Sequence, residues 1–270
     1  MTLRDVRRLL AFDLTAVDHS TNTKGEPSTA PSRRCLPTSQ CAPMTRGGVT
    51  ALAVAAALGL GGAQPRVDPR IVEAIGWYTG VAGRVDDARA RVLIETAAFD
   101  GDVLGRMWLA RAYSRGRLGY PRDEGKARMI AVELIDALRR QADAGVTEAM
   151  FMMGTAHDEG LGVAVDPAAA VAWFERAAAD GHTLAEHNLG NAYAAGRGVP
   201  GDDAAAVTWW RKAAVKGDAV TQLRLGEAYE QGKGVAPDLA AARRWYGDAA
   251  ARGNAAAAAA LRRLGSGPAS

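Results

Sequence analysis

A 36-residue step runs through the second half of this chain and leaves few folds open to it. Gly145, Gly181, Gly217 and Gly253 are spaced by that step. So are Met153, Leu189, Leu225 and Leu261, then Asp166, Asp202 and Asp238, and then Trp173, Trp209 and Trp245. Self-similarity at such a period marks one supersecondary unit stacked on copies of itself, because a single unit cannot bury its apolar face alone. Each unit reads Ala-x-x-x-Leu-Gly-x-x-Tyr, then Gly-x-Gly-Val, then Asp-x-x-x-Ala-x-x-Trp-aromatic-x-x-Ala-Ala-x-x-Gly.

Two helices joined by a glycine turn are the physical content of that pattern. After Gly181, the residues Ala185, Leu189, Ala192 and Tyr193 follow the i, i+4, i+7, i+8 spacing that places side chains on one face, which predicts a first helix. Gly196-Arg197-Gly198 ends it, since glycine adopts the left-handed cap conformation without steric cost. A second helix starts near Asp202 or Asp203, whose carboxylate can cap free amides of the first turn. Ala206, Trp209 and Ala213 then share a face at i, i+3, i+7; the alanines permit close approach, and Trp209 is expected to fill the space between helices. Gly217 stops this helix, and Asp218 can cap the next first helix, as His182, Asn254 and Asp102 can cap theirs. The fold class is therefore all-α, a solenoid of antiparallel helix pairs.

The array departs from its pattern in three places. Asp86, Ala90, Leu93, Ala97, Ala98 and Gly101 keep the register of a second helix, but Ile71 to Gly83 gives only a weak first helix, read as an N-terminal cap. Residues 255 to 264 begin another first helix and stop, which makes a C-terminal cap. The unit from Asp102 to Gly145 is 44 residues long, with one extra residue in the loop Gly116-Arg117-Leu118-Gly119 and seven in the second helix between Ile130 and Gly145. Seven residues are two turns with about 20° of drift, so Ala127, Ile130, Leu134 and Leu138 hold one stripe while the helix lengthens by about 10 Å.

This unit resembles the Sel-one-like repeat, the 36-residue branch of the tetratricopeptide superfamily, over residues 71 to 265. The resemblance implies a right-handed α-solenoid used as a protein–protein adaptor. It also implies a place in bacterial envelopes, where some members regulate sensor kinases or assist polysaccharide and secretion machinery. A glycan-binding accessory of polysaccharide or peptidoglycan assembly is the alternative reading, as is a periplasmic regulator of a sensor protein.

The segment before the array carries a different signal. Val49 to Leu60 is uncharged and apolar, follows Arg46, and runs into Gly61, Gly62 and Ala63, which reads as a secretory signal peptide cut after Ala63. The strongly apolar part is too short to span a bilayer comfortably. Residues 1 to 43, rich in Pro, Ser and Thr, lack the means to form a core, and Met44 stands where a start codon would be expected. The organisation expected is an extension over 1–43, a signal peptide over 44–63, a linker over 64–70, the solenoid over 71–265 and a tail over 266–270. The mature chain is thus placed in the periplasm or outside the cell, with no span across the membrane.

Charge and chemistry narrow the function classes further. The net charge of +3 arises entirely before residue 64, where seven basic side chains face four acidic ones; 26 of each follow. A neutral array gives no long-range field for nucleic acid. Both cysteines, Cys35 and Cys41, also precede the array, and the rest of the chain holds no Gly-x-Ser-x-Gly and no His-Glu-x-x-His. Gly226 to Lys233 has five residues where a P-loop has four, and it begins within a helix. His157, Asp158 and Glu159 form a compact cluster, but His157 occupies the repeat's tyrosine position. No enzyme activity, cofactor or metal is expected; the expected ligand is a protein or peptide, with envelope glycan as the alternative.

Binding residues follow from the face of each first helix opposite the buried one. The sixth and tenth positions after each repeat glycine give an apolar strip of Met107, Phe151, His187 and Leu223 beside Arg111, Thr155, Asn191 and Glu227, with Arg115 one turn on. Side chains of an extended peptide would fit the strip while the polar groups hold its backbone. Asn191 stands at the position where tetratricopeptide domains use asparagine to hold a peptide, but the lysines of a carboxylate clamp are missing.

Overall fold

The computed structural model describes residues 67–265 of the 270-residue chain. The expected signal peptide, the extension before it and the tail lie outside the described residues. The described residues belong to one compact unit and are helical with connecting turns. The helices are α1 (Pro69–Thr79), α2 (Asp87–Phe99), α3 (Val103–Arg115), α4 (Glu124–Asp143), α5 (Thr147–Glu159), α6 (Pro167–Ala179), α7 (Thr183–Ala195), α8 (Asp203–Val215), α9 (Ala219–Gln231), α10 (Leu239–Ala251) and α11 (Ala255–Gly265). Each packs on its successor, so the helices form the expected all-α repeat solenoid. α1 begins two residues before Ile71, with Asp68 accepting from the Arg70 amide and Pro69 in the first turn.

Aspartate starts every second helix. Asp86, Asp123, Asp166, Asp202 and Asp238 each accept from a first-turn amide of α2, α4, α6, α8 and α10. Asp102, His182, Asp218 and Asn254 do the same for α3, α7, α9 and α11. Gly116, Gly160, Gly196 and Gly232 close the first helices at positive φ.

The aromatic pairs pack differently from the expectation. Trp209 is only half-buried, whereas Trp210 is 8% exposed; likewise Phe174 is 3% and Tyr246 0% exposed. The second ring of each pair faces the first helix of its own repeat, and there the Leu-Gly motif makes room for it. Phe174, Trp210 and Tyr246 lie so close over Gly154, Gly190 and Gly226 that a Cβ at any of the three would overlap the ring. Both Ala206-Trp209-Ala213 and Ala206-Trp210-Ala213 are legitimate helical spacings. The contact that selects the latter is the glycine hole on the facing helix. Two of the first rings lie beside cations, with Arg176 4.1 Å from the centroid of Trp173, itself buried, and Lys212 3.7 Å from that of the half-buried Trp209.

α4 is 20 residues long against 13 for α2, α6, α8 and α10, the two added turns read from the sequence. Ala127, Ala131, Leu134, Leu138 and Ala142 make its buried stripe. The second glycine of the turn after each first helix rests on the preceding second helix: Gly198 on Pro167, Gly234 on Asp203, and Gly162 on Ala131. Pro167 and Asp203 are first residues of their helices, whereas Ala131 is two turns in. By this contact the seven added residues are Glu124 to Ile130, at the start of α4, and not between Ile130 and Gly145 where the sequence pattern put them, because the next repeat packs on Ala131 as later ones pack on Pro167 and Asp203.

The array also meets itself. The amide of Val85, in the turn after α1, donates to the Arg252 carbonyl at 2.9 Å. The Arg252 guanidinium donates to the Gly80 carbonyl at 2.9 Å, across 172 residues of sequence. Gly80 packs there against Ala219 and Arg252, joining the first helical turn region to the end of α10.

Candidate partner-binding groove

Two cavities of about 390 and 550 Å³ adjoin in the array and share Asn191 and Ala195. The first is walled by Tyr78 of α1, Arg111 and Arg115 of α3, Phe174 of α6 and His187 and Asn191 of α7. The second continues past Trp210 to Arg224, Glu227 and Gln231. Five of the nine candidate residues, Arg111, Arg115, His187, Asn191 and Glu227, line this groove.

The remaining four lie elsewhere. Met107 and Phe151 are 0% and Thr155 1% exposed, so the apolar strip is mostly core and not floor. Phe151 packs between Trp108, with centroids 6.0 Å apart, and the ring of His182, stacked at 4.5 Å. Leu223 is half-buried against the cluster around Tyr246. α3 and α5 touch one another along this edge, and there the sixth position is spent on that contact.

His187 and Asn191 belong to a hydrogen-bond relay with one polarity. The Thr221 hydroxyl donates to the buried Asp218 carboxylate, so it accepts from His187 Nδ1 at 2.6 Å. The neutral ring then presents Nε2 as an acceptor to the Asn191 amide nitrogen at 2.9 Å, and Trp210 Nε1 donates to Asn191 Oδ1 at 3.2 Å. Three helices, α7, α8 and α9, are tied by these bonds. Asn191 still has one N–H and one lone pair free of them.

Burial holds the His187 pKa below its ordinary value; Asp218 opposes this, and Arg111 and Arg224 add to it. Since the unfolded imidazole takes up its proton near pH 6.5 and the folded one only lower, the unfolded state binds more protons in that window. Stability is therefore full above about pH 6.5 and falls as the pH drops below it. Urea unfolding at about pH 7.5 and about pH 5.5 should show a larger acid loss for the native chain than for His187→Asn. Equal losses would show that the relay does not titrate as its geometry requires.

Several groove residues escaped the sequence reading. Arg117 and Arg197 also line the first cavity; both follow the glycine that caps a first helix, a turn position that helix-face reasoning does not visit. Asp158 lies between arginines, 3.3 Å from Arg115 and 3.2 Å from Arg197. Burial pushes its carboxyl up, Arg197 and Arg115 pull it down, and Glu159 adds to the upward push. His157 keeps the repeat's tyrosine role, its carbonyl accepting from the Asp166 amide as Tyr193 does from Asp202. Among the described residues, no group of three or more His, Cys, Asp or Glu side chains could hold a metal ion.

Helix pairs in register, with glycine holes facing the second helices, define an α-solenoid of repeats. The Sel1 repeat model matches residues 104–130, 147–182, 183–218 and 219–254, and the chain belongs to the Sel1 repeat family. Sel1 repeat proteins are generally protein-interaction scaffolds and typically non-catalytic. Similar solved structures include a protective antigen of uropathogenic Escherichia coli displaying an SLR fold, 26% identical with a TM-score of 0.49 over 72% of this chain and 48% of that one. A Sel1 repeat protein from Oxalobacter formigenes is 35% identical with a TM-score of 0.45, over 66% and 49% of the two chains. A sel1 repeat protein from Klebsiella pneumoniae subsp. pneumoniae is 21% identical with a TM-score of 0.42, over 73% and 91%. The chain spans about half the length of the first two. No curated protein matches it.

Proposed function

We propose that this chain is a non-catalytic adaptor of the bacterial cell envelope that holds an extended segment of a partner protein in the groove. The observation that carries the reading is the continuity of the two cavities through Asn191 and Ala195. Residues at variable positions of successive repeats thus line one path, which suits a chain that runs along the array and not a compact small molecule. Arg111, Arg115, His187, Asn191 and Glu227 are the contact residues proposed from the original nine. Met107, Phe151 and Thr155 support the path from beneath, and Leu223 from its edge. The signal-like run before Gln64 supports an exported location, and no described helix is long and apolar enough to cross a membrane.

A photo-crosslinking side chain placed at Ala195 or Gln231, both exposed in the groove wall, tests this in the native host. Crosslinks to one defined protein from these positions, and none from Met129 on the added part of α4, are expected. Crosslinks from Met129 alone would remove the groove from consideration. Intact-mass measurement of the same material gives its start; a soluble exported species beginning at Gln64 is the expected result, and a cytosolic one retaining Val49 to Leu60 would contradict the location.

A further inference from the structure

One end of the groove concentrates positive charge in a way the sequence pattern does not require. Arg111, Arg115, Arg117 and Arg197 all line the first cavity. The carboxylates among them are Asp158 and Glu159: Arg115 meets Glu159 at 2.8 Å, and Arg197 reaches both the carboxylate and the carbonyl of Asp158. Arg117 has Asp87 at 3.8 Å, beyond hydrogen-bond reach. Four guanidinium groups thus face three carboxylates, Asp158, Glu159 and the more distant Asp87, and the local balance favours an anion.

Arg111 supplies the second, independent observation. Its side chain is 12% exposed and sits beside the rings of Trp108 and Phe151, with centroids 5.0 and 5.1 Å away. Its Nε and Nη1 are buried without a hydrogen-bond partner, and Glu159 stands 3.7 Å from Nε. Burying a guanidinium charge without hydrogen-bonded compensation is costly, and an oxygen anion in the cavity that Arg111 lines would relieve the electrostatic part of that cost. The rings on which Arg111 rests also fix its plane, which lowers the ordering cost of a contact with its accessible edge.

We propose that this end of the groove is a carboxylate-binding socket. Arg117 and Arg197, carried on the turns that end α3 and α7, together with Arg111, take a carboxylate of the partner segment. It comes from an acidic side chain or from a chain terminus. The inference rests on the groove reading and gives the partner segment its chemistry and its register: the carboxylate sits at the α3 end, and the rest of the segment runs past Asn191 toward Glu227 and Gln231.

Fluorescence anisotropy at low salt with three labelled peptides tests the socket: amidated tetraglutamate, tetraglutamine with a free C-terminus, and amidated tetraglutamine. A carboxylate-bearing peptide is expected to bind at least about tenfold more tightly than the amidated tetraglutamine, the scale of one charge-assisted contact. Preference for amidated tetraglutamate assigns an acidic side chain, and preference for free tetraglutamine assigns a chain terminus. Arg117→Gln and Arg197→Gln, both at half-exposed side chains, should each remove most of that preference while the thermal midpoint stays unchanged. Equal affinity for all three peptides overturns the socket and leaves the groove standing. Absence of binding by all three overturns the socket as well, and the groove is then judged by the crosslinking result alone.

Discussion

Trp210→Ala should lower the free energy of unfolding by about 3–5 kcal/mol, the usual cost of emptying a large aromatic site. Trp209→Ala should cost about 1–2 kcal/mol, because its ring is half-exposed and already shares its surface with Lys212. The partner of Trp210 is a missing side chain: Gly190, over which the indole lies with no room for a methyl group. Alanine is favoured over glycine inside a helix by about 1 kcal/mol, yet Gly190→Ala should destabilise by about 2–3 kcal/mol because the ring must leave its rotamer. In a Trp210→Ala background the same substitution should be neutral or stabilising. Urea denaturation of the two single variants and the double variant measures this coupling directly. Additive costs, or a larger loss at Trp209 than at Trp210, would refute the glycine-hole account.

That comparison shows where sequence reasoning stops. The period, the helix pairs, the aspartate caps and the two added turns of α4 were all legible, because each depends on a local rule about spacing or backbone chemistry. Which of two adjacent rings is buried depends on the opposite helix. Only the glycine of Leu-Gly, at the same place as Gly154, Gly190 and Gly226, carried that information. The first long repeat makes the same point: its equivalent positions are Ala110 and Leu138, both fully buried, so neither hole nor ring is present. In the groove, Arg111, Asn191 and Glu227 could be found from one helix face. Met107 and Phe151 could not be told apart from core, because their burial is set by the neighbouring first helix.

The second large effect is expected at Glu148, which is 4% exposed in the first turn of α5. One carboxylate oxygen accepts from Trp108 Nε1 at 2.9 Å, and the other faces His182 Nε2 at 2.7 Å. His182 Nδ1 accepts from the Ala185 amide, which places the ring hydrogen on Nε2 and makes it the donor. Glu148 thus ties α3 to α5 and α5 to the cap of α7. Glu148→Leu keeps the volume but leaves the indole and imidazole N–H groups buried without acceptors, at a cost of about 3–4 kcal/mol. Glu148→Gln can satisfy only one of the two and should cost about 1–2 kcal/mol. Thermal or urea unfolding of both variants gives the test; equal stability of Glu148→Leu and the native chain would mean that these donors are solvated. The residue offered no sign of this role in the sequence, since a carboxylate in a first turn is ordinarily a solvated helix-dipole partner.

The bonds between Arg252 and the turn at Gly80 and Val85 bear on how such a protein can change over time. In an open stack each repeat touches only its neighbours, so copies can be gained or lost with little effect elsewhere. Here the two ends meet only because every intervening pair contributes its share of rotation. Adding or removing one 36-residue copy would carry Arg252 away from Gly80, and so this contact is compatible with only one number of repeats between them.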